Sequence, residues 1–433
     1  MNFKVKNLLI FMGLVVYFFC ITYFRFIDDD IAWNFGFCYN FANGLTMYKD
    51  YNMVITPLYP FLFGSLMKLL GNNMVIFYIL NSFLPASIMF MLYKNSKKVF
   101  FPVLLLLSFI SVPNYNVLCM LFLFILIYLE KNNKNDYLIG FILGLTFLTK
   151  SSIGAFLCLP TIYYLFKDFK KVIKRVLGFL APLIICIIIF YFNGSLKYFI
   201  DYCFLGLFDF AEDNTDFNWL VLVTIIFALY LIRQYIKTRD VSVLYILCFQ
   251  IMAYPLFNIY HIMYSAVPVL YYFINHLPKK LDSLYTKISP YLWISILAPL
   301  VGCVMILFIY DFTYDDNIFK YRFVNQEYYD NAMELDSYFE GKYDNVYFVF
   351  YSAYLNKLLL DIPINNYDLL LKGNLGYNGE ERVIKEFENM NDVYFVVEQV
   401  FKHNQASQKI YDYVVNNTKY IATRGKYLIY YKR

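Results

Sequence analysis

Long apolar blocks broken by short charged stretches dominate the first 310 residues. Runs at about 8–27, 73–93, 99–113, 115–130, 137–150, 152–166, 176–193, 218–235, 241–257, 262–277 and 289–310 are candidates to cross a hydrocarbon layer that takes roughly 20 helical residues, the shorter ones as tilted or re-entrant pieces. Together they predict about eleven crossings. The first run follows a short basic start (Lys4, Lys6), lacks a small-residue cleavage site and is flanked by acid, so it reads as a retained span.

Two regions break this pattern. Between the first and second runs, "IAWNFGFCYNFANG" has apolar residues at helical spacing and ends in an Asn-Gly stop. "PLYPFLFGSLMKLLG" is a second amphipathic piece, opened by Pro57 and closed by Gly71. Both predict interfacial helices that lie along the membrane and form a floor for a lipid headgroup. From about residue 320 the chain alternates helix-like and strand-like runs. "NQEYYDNAMELDSYFEG", "ERVIKEFENM" and "ASQKIYDYVVNN" predict helices, "NVYFVF" and "DVYFVVE" strands, and "YIATRGKYLIYY" a hairpin about Arg424-Gly425. The expected fold class is therefore mainly α, a polytopic helical membrane protein with a small C-terminal α/β domain.

Composition agrees with the pattern: 60% hydrophobic, 16% charged and a mean hydropathy of +0.50 exclude an ordinary soluble protein. Residues 1–310 hold 23 Lys+Arg against 14 Asp+Glu and residues 311–433 hold 14 against 18, so the net +5 divides into +9 and −4. This sets the expected domain boundary near Asp311. With the N-terminus inside, every basic cluster falls on one side: Lys94, Lys97 and Lys98; Lys131 and Lys134; Lys167 to Arg175; Arg233 to Arg239; and Lys279 to Lys287. An odd number of crossings then puts the acidic tail outside the cell membrane. None of the eight cysteines lies in the tail; Cys38 and Cys203 fall in loops on one side and have the option of pairing, and no zinc or redox spacing occurs.

The candidate chemistry sits at the lip of the first span. "FRFIDDDIAWNFGFCYN" sets Asp28, Asp29 and Asp30 on the outer side. Such a triplet is either a solvated helix cap or the start of a site. Its surroundings favour the second reading. The run "DDDIAWNFGFCYNFANGLTMYKDYNMVITPLYPFLFGSLMKLLG" resembles the first external loop of the GT-C glycosyltransferases, in particular the bacterial family 39 and aminoarabinose-transferase-like enzymes. Shared features are an acid after the first span, Gly44 fourteen residues after Asp30, then "MYKD" and "TPLYP". "GFILGLTFLTKSSIGAFLCLP" and "YPLFNIYHIMYSAVPVL" resemble, respectively, a mid-chain span ending in Thr-Lys and a late Tyr-Pro…His…Pro segment of the same enzymes.

The resemblance implies transfer of a sugar from an outward-facing polyprenyl phosphate to a glycan, lipid or protein acceptor, with inversion and with an aspartate of this loop as general base. Asp30 has the matching spacing and Asp29 stands next to it; which of the three faces the cavity is open. Lys150 in "LTKSS" is the expected phosphate ligand, or else a lysine snorkelling to headgroups. His261, Tyr48, Asp50 and Tyr59 are further candidates to bind lipid phosphate or substrate. These relatives carry a lysine just before the Pro of "TPLYP", where this chain has Ile55-Thr56, so phosphate binding is redistributed or the donor differs. Asp209 and Asp213 in "DFAEDNTDF" are candidates for a divalent cation, the one cofactor the sequence suggests. The tail shows no phosphate loop and no nucleophile elbow, which suits acceptor binding or lid duty. The partners implied are lipid-linked sugar, acceptor and membrane lipid, with no nucleic acid. A polyprenyl-lipid flippase or transporter is the competing class, against which stands the lack of an internal repeat.

Overall fold

A computed structural model describes residues 3–209, 218–309, 312–315, 322–370, 373–400 and 406–433. The chain is mainly helical. In order come α1 (Phe3–Tyr23), α2 (Asp29–Ala42), α3 (Leu58–Leu70), α4 (Met74–Asn95), α5 (Phe100–Ile110), α6 (Tyr115–Lys131), α7 (Asp136–Thr149), α8 (Ser151–Cys158), α9 (Phe169–Phe192) and α10 (Leu196–Ile200). After them come α11 (Leu220–Thr238), α12 (Val241–Phe249), α13 (Ile259–Asn275), α14 (Lys279–Ile288) and α15 (Leu297–Ile309). Four of these, α1, α4, α9 and α11, are long and apolar enough to cross a membrane by length and composition. The other apolar runs form shorter helices. Several gain length from 3₁₀ turns, as at Leu159–Tyr164, Gln250–Ala253 and Ser289–Ile296. The amphipathic α14 lies in a stretch whose charges hide it from a search for apolar runs.

Glycine sets the closest helix pair. Gly140 and Gly144 of α7 stand four apart on one face, and a Cβ on Gly140 would meet the Arg175 carbonyl of α9 at 2.0 Å. That approach brings Arg175 to the start of α7, where its guanidinium binds Glu130 at 3.0 Å and Asp136 at 2.9 Å. Tyr164 donates to Glu130, and Tyr245 lies 3.4 Å from the same carboxylate. Arg175 is only 2% exposed and belongs to a buried ion network.

The C-terminal region forms a two-stranded pair, β1 (Phe312–Asp315) with β2 (Arg322–Asn325), then α16 (Gln326–Phe339) and a mixed sheet. The sheet's strands are β3 (Val346–Phe348), β4 (Val393–Glu398), β5 (Lys419–Arg424) and β6 (Tyr427–Lys432), in spatial order β3-β4-β6-β5. Only the β3–β4 pairing is parallel, and α17 (Ala353–Leu359) and α18 (Gly379–Asn389) fill that crossover. α19 (Gln408–Asn417) leads into the β5–β6 hairpin, whose turn lies at Arg424-Gly425 as the pattern predicts.

This region is fastened to the first loop. Tyr354, Leu355, Leu358 and Leu369 share one apolar core with α2 and the 47–55 segment. A Cβ on Gly36 of α2 would lie 2.7 Å from the Tyr354 ring, so glycine is what lets α17 seat there. Asn52 donates to the Leu369 and Asn374 carbonyls at 2.9 and 3.2 Å, and Asn366 donates to Lys49 O at 2.8 Å. A second attachment runs from Arg382 to Asp201 at 3.2 Å. Cys38 and Cys203 are buried free thiols, so they do not pair.

Candidate active site

The first turn of α2 organises the site. Asp28 is the N-cap: its carboxylate accepts from the Ile31 amide at 2.8 Å, in the position where a short acidic side chain satisfies an otherwise free helix donor. The next two carboxylates then meet different neighbours. Asp29 points toward the C-terminal region, within reach of Ser352, Lys426 and Tyr328. Asp30 lies within electrostatic reach of Tyr115 at the start of α6 and of Tyr264 on α13. Asp28 and Asp30 expose their side chains while protein surrounds them, the geometry of a crevice rather than of a flat surface.

Burial raises the pKa of all three. Desolvation pushes Asp30 up to about 6, with the Asp28 charge adding to the effect. Desolvation, then the charges of Asp28 and Asp30, pushes Asp29 up to about 7, while Ser352 and Lys426 pull the other way. Desolvation also raises Asp28, opposed by its bond to Ile31 and by Arg25. Both Asp29 and Asp30 are thereby poised to exchange protons near neutral pH.

A cavity of about 220 Å³ opens at the Tyr115 end of α6. Its lining includes Thr56, Tyr115, Lys150, Ser151, Tyr254 and His261. Lys150 occupies the extended joint between α7 and α8, so its side chain leaves the helix axis and enters the bundle. Its ammonium donates to Asn116 Oδ1 at 3.2 Å, lies 3.8 Å from the Met252 sulfur and stands 5.6 Å from the centre of the Tyr115 ring. None of these partners is anionic. Ser151 and Ser152, in the first turn of α8, line the same cavity, and first-turn amides have no acceptor within their helix. His261 is oriented by Asn258, the N-cap of α13, whose Oδ1 lies 2.8 Å from Nδ1. Tyr115 therefore neighbours the ammonium of Lys150 and lies within electrostatic reach of Asp30.

The other candidates have different surroundings. Tyr48 and Tyr59 are fully buried; Tyr48 donates to Ile55 O at 2.9 Å and Tyr59 to Asn81 Oδ1 at 2.7 Å. Asp50 accepts from the Thr46 amide at 2.6 Å and closes the turn between them. These three shape the loop that frames the cavity. Thr56, in the place of the relatives' lysine, donates to Phe147 O at 3.1 Å and ties that loop to α7. Asp209 accepts from the Asn378 amide at 3.3 Å, and Asp213 lies outside the described residues. No group of three His, Cys, Asp or Glu side chains gathers to hold a cation among the described residues. Sequence reasoning missed Tyr115, Asn116, Tyr254, Tyr264 and Ser352. Only Asn116, a polar residue in an apolar run, carried a signal.

Below the Thr56–Phe147 bond a second, wholly apolar cavity of about 200 Å³ lies between α3, α7 and α9, lined by residues that include Pro57, Leu58, Leu148, Pro182 and Ile189.

No protein-family model matches the sequence, and no curated protein matches it. The oligosaccharyltransferase of Archaeoglobus fulgidus, solved with Zn and sulfate and again tethered to an acceptor peptide containing the NVT sequon, matches at TM-scores of 0.43 and 0.44 and at 12% and 11% identity. Those matches cover 90% and 92% of this chain and 68% and 69% of the other, and at that level they carry no argument. ArnT from Cupriavidus metallidurans in the apo state superposes over 99% of this chain and 98% of its own, with a TM-score of 0.56 and 10% identity. Over nearly its whole length, this chain shares the fold of ArnT.

Proposed function

We propose that the protein transfers a sugar from a polyprenyl-phosphate donor to an acceptor on the outer face of the membrane, with inversion at the anomeric carbon and Asp30 as general base. The observation that supports this reading is that Tyr115 neighbours the Lys150 ammonium and lies within electrostatic reach of the Asp30 carboxylate. The isoprenoid chain takes the apolar cavity between α3, α7 and α9. Its phosphate lies against Lys150, His261 and the first-turn amides of α8, where a cation without an anionic partner is held ready. Asp30 removes the proton from an acceptor hydroxyl as its oxygen attacks the anomeric carbon. The bond from that carbon to the phosphate oxygen breaks, and polyprenyl phosphate leaves with its negative charge opposed by the ammonium. With Asp209 engaged by a backbone amide, no step is assigned to a divalent cation.

In this reading residues 1–310 form the membrane catalytic unit, with about eleven crossings, a cytoplasmic N-terminus and an external loop from 28 to 72. Residues 311–433 form an extracytoplasmic acceptor-side unit. Exposed Asn417 tests the topology. An Asn417→Cys chain should gain labelling by an impermeant thiol reagent in intact cells over the unaltered chain, while Lys134→Cys should gain it only after lysis; the reverse pattern overturns the arrangement. The reaction itself is tested by mass spectrometry of a strain lacking the gene. Sugar-loaded polyprenyl phosphate should accumulate and one envelope sugar should be lost. A flippase would leave the sugar attached to its lipid when the purified protein meets donor and acceptor, and absence of polyprenyl phosphate release there would sink the transferase reading.

A further inference from the structure

Resting on that transferase reading, the geometry points to the acceptor class: we propose that a saccharide ring docks in the aromatic corner formed by Trp33 of α2 and Tyr351 of the C-terminal region, which presents its hydroxyl to Asp30. The two rings meet edge to face, with centroids 4.8 Å apart and planes at 73°, and both are partly exposed. Helical spacing sets Trp33 on the side of α2 shared with Asp29, four residues before it, and Asp30, three before it. The Tyr351 hydroxyl lies within electrostatic reach of all three carboxylates. The corner therefore opens at the base itself and is built from two distant parts of the chain.

Its chemistry selects a sugar. An aromatic face covers the C–H face of a pyranose, and carboxylates accept from ring hydroxyls. The acidic field of Asp28 to Asp30 disfavours an anionic acceptor group and suits a neutral or amino sugar. A second observation lies in the same turn of helix. The Trp33 indole N–H, one Asp29 oxygen and the Asn34 side-chain oxygen are buried and have no partner in the structure, and Asn34 is only 4% exposed. A donor and acceptors left open within two turns of one helix suit a group that both donates and accepts, as a hydroxyl does.

The test uses the purified full-length protein, lipid extract of the source cells as donor, envelope fraction as acceptor and release of polyprenyl phosphate as readout. Periodate treatment of the envelope fraction, which cleaves sugar diols, should abolish its acceptor capacity, while proteinase K should leave it intact. Tyr351→Ala and Trp33→Ala should each raise the apparent KM for the envelope fraction tenfold or more with the donor KM unchanged, and Tyr351→Phe, which keeps the ring, should lie between Tyr351→Ala and the unaltered protein. A protease-sensitive, periodate-resistant acceptor overturns the proposal. So does an unchanged acceptor KM in folded Tyr351→Phe and in whichever alanine variant folds. If the unaltered protein releases no polyprenyl phosphate from untreated fractions, the transferase reading fails first, an outcome distinct from either of these.

Discussion

α6 and α7 carry charge at both ends, and the two ends use it in opposite ways. At one end Glu130 closes α6 and Asp136 opens α7, and Arg175 binds both within 3.0 Å while Tyr164 and Tyr245 surround the group. At the other end Asn116 lies in the first turn of α6 and Lys150 follows α7, and the nearby Tyr115 is within electrostatic reach of Asp30. Here Lys150 finds a neutral amide, a sulfur and a ring, and the aspartates crowd one another. A charge network that satisfies itself serves the fold, because removing one member strands the others. Charges kept apart in a crevice raise the free energy of the empty protein and are relieved by a ligand that supplies the missing partner.

Four substitutions probe that contrast. The largest expected effect is from Asp30→Asn, which keeps shape and hydrogen-bonding reach and loses the ability to take a proton. Transfer should fall by roughly 10² to 10⁴-fold with folding and donor binding intact, as read by polyprenyl phosphate release. Near-native turnover would remove Asp30 from the mechanism. At the opposite end, Arg175→Ala leaves the buried Glu130 and the half-buried Asp136 without their cation and should cost about 3–5 kcal/mol of stability. Detergent melting should show the loss while the rate per folded molecule holds; a rate loss without a melting change would contradict the division of roles.

A smaller effect is expected from Lys150→Ala. Losing a charge-assisted hydrogen bond should weaken donor binding by roughly 1.5–3 kcal/mol, read as a raised donor KM. Unchanged donor affinity would make Lys150 another structural charge. The smallest effect is a pH shift. A base held at about 6 is ionised above that pH, so the rate should rise through pH 6 and level off. Asp28→Asn preserves a good helix cap and removes the neighbouring charge that raises Asp30, so the acid limb should move to lower pH. A limb that stays in place would mean that Asp28 does not act on the base.

The same raised values bear on stability. A carboxyl whose folded pKa lies above its unfolded value binds more protons in the native state between the two, so stability from Asp29 and Asp30 falls as pH rises from about 4 to about 7. The crevice thus makes the protein least comfortable in the protonation state that a base requires.

Legibility follows the range of the interactions. The helices at 29–42 and 58–70, the strands at 346–348 and 393–398 and the turn at Arg424-Gly425 were readable because apolar spacing, Pro, Gly and Asn act within a few residues. α14 and α17 were not, since one is charged and the other is short and takes its burial from α2. The burial of Arg175 was hidden for a similar reason: in sequence it ends a basic cluster, and only the glycine contact between α7 and α9 reveals its surroundings.

The sequence by itself determined that this is a membrane protein with an acidic triplet at the first span, a lysine in a break between two apolar runs and an α/β tail, because composition and periodicity carry those facts locally. Tertiary structure decided the roles within the triplet. The N-cap bond spends Asp28 on the helix, and the turn of α2 then sends Asp29 toward Ser352 and Asp30 toward Tyr115, more than 80 positions further along the chain. Three adjacent, chemically identical side chains differ only in what surrounds them, and long-range packing alone supplies those surroundings.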